Sequence, residues 1–334
     1  MRGLAAFILV FSVWASVVRA EAPGVLGIAV TMAEDEDFFA AMIAAKQAGA
    51  DAATLSLFWD ETMVDGAYAP KMDWATQANS FYPTARFRLA LTLPVIDTVA
   101  DRRPADLRGL AWDDPAVLAG FAEYATAVIG RLDRVDLTHI AIGNEVDGLL
   151  ATPDDWAGYG RFYAAAVKVV KGLRPDVPVG VTMTWPGLNG PNAAQAQALA
   201  AQGDIWLITH YSLDAGFHIR PPDEIAATLD AMIAMAAGKP VFLAEVGYPS
   251  DGCETDEAGQ LAFFQGLFTA WDSRAADIPL MSLVWLHDLS PAAVGELQSY
   301  YGVGDDCFGR YLGSIGLRSF GGEDKPAFAW LRAR

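Results

Sequence analysis

Positive charge is scarce in this chain. Its 334 residues hold 23 Lys and Arg against 41 Asp and Glu, a formal net charge of −18. A polyanion binder needs a basic footprint, and no Lys/Arg cluster occurs. Nucleic acid and acidic membrane surfaces are therefore poor partners, and an uncharged ligand suits the surface better. Cysteine is nearly absent, with only Cys253 and Cys307. Two cysteines and four scattered histidines (His139, His210, His218 and His287) show no ligand spacing, so no metal is expected. A Walker loop, a G-x-S-x-G elbow and an H-E-x-x-H pair are all missing. The segment AVTMAEDE, after the first apolar run, has no Gly-rich turn for a phosphate. No cofactor is expected. There are no repeats, and no Pro/Gly/Ser linker divides the chain.

Long apolar runs are also lacking, with one exception at the start. Residues 1–20 read MRGLAAFILVFSVWASVVRA. Arg2 precedes an apolar run of about 15 residues, short of the ~20 that span a bilayer. Val18-Arg19-Ala20 then puts small residues at the two sites a signal peptidase reads. The reading is a signal peptide over 1–20, cut after Ala20. Residues 21–334 would then be one exported domain, periplasmic or secreted, monomeric and free of the membrane. In an oxidising compartment the two cysteines are expected to form one disulfide, Cys253–Cys307.

Apolar residues make up 53% of the chain, ample for a full core. They fall in eight short runs rich in Val, Ile, Leu and Thr, at 25–31, 51–59, 86–94, 136–143, 177–184, 204–211, 240–247 and 279–287. Each is bounded by turn formers and reads as a strand buried on both faces. Helical stretches lie between them. One runs over 34–48. Asp114-Pro115 and Thr152-Pro153 are cap and first-turn signals for two more. Others follow Pro221-Pro222 and Asp256. Residues 60–85 read mostly as loop. The segment 295–324, with eight glycines, reads as a long loop. Eight strands alternating with helices predict an α/β fold, a single (β/α)8 TIM barrel.

In such a barrel the chemistry sits where strands end and βα loops begin. The fourth run ends IAIGNEVDG, placing Asn144 and Glu145 at its lip, and the seventh ends VFLAEVGYPS, placing Glu245 there. A carboxylate beside so apolar a run is expensive to bury unless it is hydrogen-bonded or working. Strands 4 and 7 lie on opposite sides of the mouth, so the two side chains can meet across a cleft. Glycosidic bond cleavage needs one protonated and one ionised carboxyl in that arrangement, and like charges in proximity separate the two pKa values.

These two segments resemble the signature of the clan A glycoside hydrolases, retaining enzymes on (β/α)8 barrels. The stretch KPVFLAEVGYPSDG is similar to the nucleophile segment of the endo-β-1,3-glucanases of family 17, and HIAIGNEV to their acid/base segment. GNEVDGLL also looks like the corresponding region of the endo-β-1,4-galactanases of family 53. The resemblance implies that Glu145 is the acid/base, Glu245 the nucleophile and Asn144 the partner of the sugar 2-hydroxyl. It implies that Tyr211, ending strand 6, donates a hydrogen bond to the nucleophile, and that Trp285 floors the sugar site. Sugar faces stack on aromatics, which adds Trp59 at the end of strand 2. His210 is a candidate to hold a sugar hydroxyl. The implied activity is hydrolysis of β-glycosidic bonds in a poly- or oligosaccharide, with transglycosylation or non-catalytic glycan binding as alternatives. One departure stands out. Many clan members carry an arginine near the end of strand 2 that supports the nucleophile, whereas this chain reads SLFWDE, with Trp59, Asp60 and Glu61.

Overall fold

The computed structural model describes residues 24–64, 66–214 and 218–334. The expected signal peptide lies outside the described residues. The barrel strands are β1 (Val25–Ile28), β2 (Ala52–Ser56), β3 (Arg88–Asp97), β4 (Leu137–Asn144), β5 (Val179–Gly180 and Thr182–Thr184), β6 (Trp206–Tyr211), β7 (Val241–Gly247) and β8 (Leu280–Leu283). All eight fall within the runs expected from the sequence, except that β3 continues to Asp97 and β4 to Asn144. Each pairs in parallel with its neighbours in chain order, and β1 pairs with β8. The ring closes through β5. Its first piece pairs with β4 and its second with β6.

The barrel helices are α1 (Phe38–Gln47), α2 (Asp73–Ala85), α3 (Pro115–Ile129), α4 (Pro153–Leu173), α5 (Ala193–Ala200), α6 (Ile225–Ala236), α7 (Glu257–Asp272) and α8 (Pro326–Ala333). Their starts follow the local chemistry. Asp114 accepts from the backbone N–H of Ala116 ahead of Pro115. Thr152 and Asp155 form a reciprocal capping box at α4, which satisfies two otherwise orphaned donors. The main core lies between these helices and the outer face of the sheet. A smaller cluster of Ala141, Ile205, Leu207, Phe242 and Leu280 forms a separate core.

Two segments expected to be loops are largely helical. Residues 60–85 contain a short helix, Trp59–Thr62, a two-stranded hairpin and α2. In α2, Ala75, Ala78 and Tyr82 form a narrow buried stripe on an otherwise polar sequence, so the periodicity is faint. Between β8 and α8 stand two further helices, Pro291–Tyr301 and Asp306–Ser314. The glycines that argued for a loop there serve contact between these helices. A Cβ on Gly309 would lie 2.9 Å from the Gln298 amide, and one on Gly313 would lie 3.3 Å from Val294. Gly302, at φ +67°, closes the first helix.

Candidate active site

The lip of β4 is shaped by backbone that few residues tolerate. Gly143 has φ +87°, and a Cβ there would lie 2.4 Å from the Tyr159 hydroxyl. Glu145 itself is left-handed, at φ 46°. The residue is only 8% exposed, and its carboxyl group is clamped from both sides. Thr209 of β6 donates to Oε1 at 2.6 Å, and Thr98, just past β3, donates to Oε2 at 2.8 Å. Burial, then the charge of Glu245, push the Glu145 pKa up to about 8, against the pull of the two threonines. Glu245, near the end of β7, accepts from the Tyr211 hydroxyl at 2.5 Å. Burial raises its pKa as well, and the tyrosine opposes that shift. The charge of Glu245 thus adds to burial in holding a proton on Glu145.

Both glutamates open into one cleft of about 890 Å³ at the C-terminal ends of the strands. Asn144, Tyr211 and Trp285 line the same cleft, so five residues singled out from the sequence come together. One wall comes from the helices Pro291–Tyr301 and Asp306–Ser314, through Tyr300, Tyr301, Phe308 and Tyr311. Cys253 and Cys307 form the expected disulfide, with Cα atoms 5.5 Å apart. It fastens the second of these helices to the loop after β7.

Trp59 is not in the cleft. It is 1% exposed and stacks on Tyr124 with ring centroids 5.5 Å apart. The chain turns into the helix Trp59–Thr62 directly after β2, which sends the indole back against α3; its neighbour Phe58 lines the cleft instead. His210 does not line the cleft either. Its Nε2 lies 3.3 Å from the Ser212 hydroxyl, and burial pushes its pKa down to about 4, so the ring is neutral. Asp60 pairs with Arg102 and Arg108, and Asp288 with Lys325. Of the other acidic residues near strand ends, Glu61 and Asp97 reach the cleft.

A second, small cavity of about 180 Å³ lies inside the barrel, bordered by Glu245 and Asn144. Thr54 and Ser56 of β2 line it, together with Thr92, His139, Thr182 and Ser282. The strand-2 side chains that border this space are therefore a threonine and a serine, with no arginine among them. His139 is neutral, its pKa driven down to about 3 by burial. Among the described residues, no lysine or arginine lines this cavity. Sequence reasoning also missed Thr98 and Thr209, because a threonine in or beside a strand carries no distinguishing signal.

The chain has the fold of the family 5 glycoside hydrolases. A GH5_18 variant from Streptomyces cattleya in complex with Manb1-4GlcNAc superposes with a TM-score of 0.74 at 16% identity, over 93% of this chain and 80% of that one. GH5_18 from Bifidobacterium longum subsp. longum ATCC 55813 gives 0.73 at 15%, over 93% and 78%. The exo-beta-1,4-mannosidase Op5Man5 from Opitutaceae bacterium strain TAV5 gives 0.72 at 13%, over 93% of this chain and 58% of that one. No protein-family model and no curated protein matches the chain. The likeness to the clan A barrel is borne out, whereas the narrower likeness to families 17 and 53 is not confirmed. Among the described residues, no His/Cys/Asp/Glu group could hold a metal, and no helix is long and apolar enough to cross a membrane.

Proposed function

We propose that this protein hydrolyses β-glycosidic bonds with retention of anomeric configuration, using Glu245 as nucleophile and Glu145 as acid/base. The observation that carries this reading is the pair of buried glutamates, one at the lip of β4 and one near the end of β7, that open into a single cleft. Ionised Glu245 attacks the anomeric carbon. The C–O bond to the leaving group breaks, and the leaving oxygen takes the proton of Glu145. A covalent glycosyl ester on Glu245 results. Glu145, now ionised, removes a proton from water as that water attacks the same carbon and releases Glu245. Asn144 holds the 2-hydroxyl, Tyr211 orients Glu245, and Trp285 supports a sugar face. The GH5_18 complex with Manb1-4GlcNAc and the exo-mannosidase of the same fold make β-mannosides the first substrates to try. The same reading has a monomer exported through the segment 1–20 and cut after Ala20, which suits the disulfide.

Aryl β-glycosides test it. Glu245→Ala is expected to abolish turnover of every substrate, by about 10⁴-fold or more. Glu145→Ala is expected to spare glycosides with highly activated leaving groups, and azide is expected to restore its rate with a β-glycosyl azide as product. Undiminished activity in Glu245→Ala, or inversion at the anomeric carbon, overturns the assignment.

A further inference from the structure

The aromatic wall does more than enclose the cleft. Helix Pro291–Tyr301 buries none of its residues fully, yet one of its side chains reaches the opposite strand ends. The Tyr300 hydroxyl donates to the backbone carbonyl of Asp97, and it lies 3.0 Å from Asp97 Oδ2. The other oxygen, Oδ1, accepts from Asn144 Nδ2 at 3.1 Å. Asp97 and Asn144 are also register partners at the ends of β3 and β4. A primary amide has two N–H bonds. With one fixed on Asp97, the amide plane is set and the second N–H is directed by it. The Tyr300 hydroxyl lies against both the main chain and the carboxyl group of Asp97, and so holds that residue beside Asn144. The chain of contacts runs from the wall helix, through Asp97, to an amide that lines the cleft.

We propose that Tyr300 and Asp97 are positioning residues that aim the Asn144 amide at the 2-hydroxyl of the sugar undergoing cleavage, making the wall helix part of the apparatus that recognises the 2-position. This rests on the hydrolase reading above. A hydrogen bond to the 2-hydroxyl strengthens as the oxocarbenium-like transition state develops, so its misdirection lowers kcat more than it raises KM. Neither residue touches the reacting atoms.

The test compares an aryl β-glycoside with its 2-deoxy analogue. Tyr300→Phe is expected to lower kcat/KM about tenfold on the parent and by less than about twofold on the 2-deoxy glycoside. Tyr300→Phe added to Asn144→Ala is expected to cost nothing further on either substrate. Should Tyr300→Phe fold poorly, as judged by its melting temperature, Asp97→Ala is expected to show the same bias toward the parent. It leaves Tyr300 its bond to the backbone carbonyl. Equal losses on the two glycosides, or additive losses in the double variant, overturn the proposal while leaving the hydrolase reading intact. A wild type inert toward every glycoside overturns both.

Discussion

Glu145 keeps its proton at neutral pH because burial and a neighbouring negative charge outweigh two threonine hydroxyls. The basic limb of kcat/KM is therefore expected near pH 8, where the acid is lost, and stopped-flow or steady-state profiles read it directly. The same shift bears on stability. The folded-state pKa, about 8, lies above the ordinary value of 4.5, so the folded protein holds this proton more tightly than the unfolded chain. The resulting stabilisation is complete below about pH 4.5 and is lost as pH rises through about 8. Glu145→Gln never ionises. Its melting temperature relative to wild type is expected to climb between pH 5 and pH 9, and parallel curves in calorimetry would contradict the shift. Individual side chains were legible where chemistry is rare, as at Asn144, Glu145 and Glu245. Trp59 shows the limit. An aromatic just past a strand reads the same whether its ring enters the cleft or the helix layer, and only the turn into Trp59–Thr62 separates the two.

At the scale of elements, the β4 lip is the most constrained part of the site. Gly143 and Glu145 both adopt left-handed backbone, two residues apart, with Tyr159 packed against the first. Gly143→Ala adds strain of about 1–3 kcal/mol at the positive φ, besides the clash with Tyr159. Activity is expected to suffer more than stability, because a displacement of ~1 Å in Asn144 and Glu145 costs about a hundredfold. A falling melting temperature with unchanged kcat would show that the lip tolerates the movement. Strands were legible because buried parallel strands announce themselves as apolar runs between turns. The helices of 291–314 were hidden by glycines, a residue type that reads as a breaker in sequence. Here Gly309 and Gly313 are spaced for close approach of one helix to the other.

Across the whole molecule, the single disulfide joins residues 54 apart and ties the loop after β7 to the wall helix after β8. In the chain-entropy view, a closed loop of this size stabilises by about 4 kcal/mol. Replacing both cysteines with serine is expected to lower the melting temperature on the order of 10 °C, measured by calorimetry under non-reducing conditions. No change would mean that packing of Phe308, Tyr311 and Leu312 suffices to hold the wall. The sequence by itself determined the alternation of strands and helices, the acidic surface and the two glutamates at strand ends. These depend on periodicity and turn chemistry within a few residues, and such local rules can be read without coordinates. Barrel closure decided the rest. It brought Thr98 to Glu145 across 47 residues, Thr209 to the same carboxyl group across 64, and Tyr300 to Asp97 across 203. Proton affinity and amide orientation are properties of those distances, and the distances exist only once the ring of strands has closed.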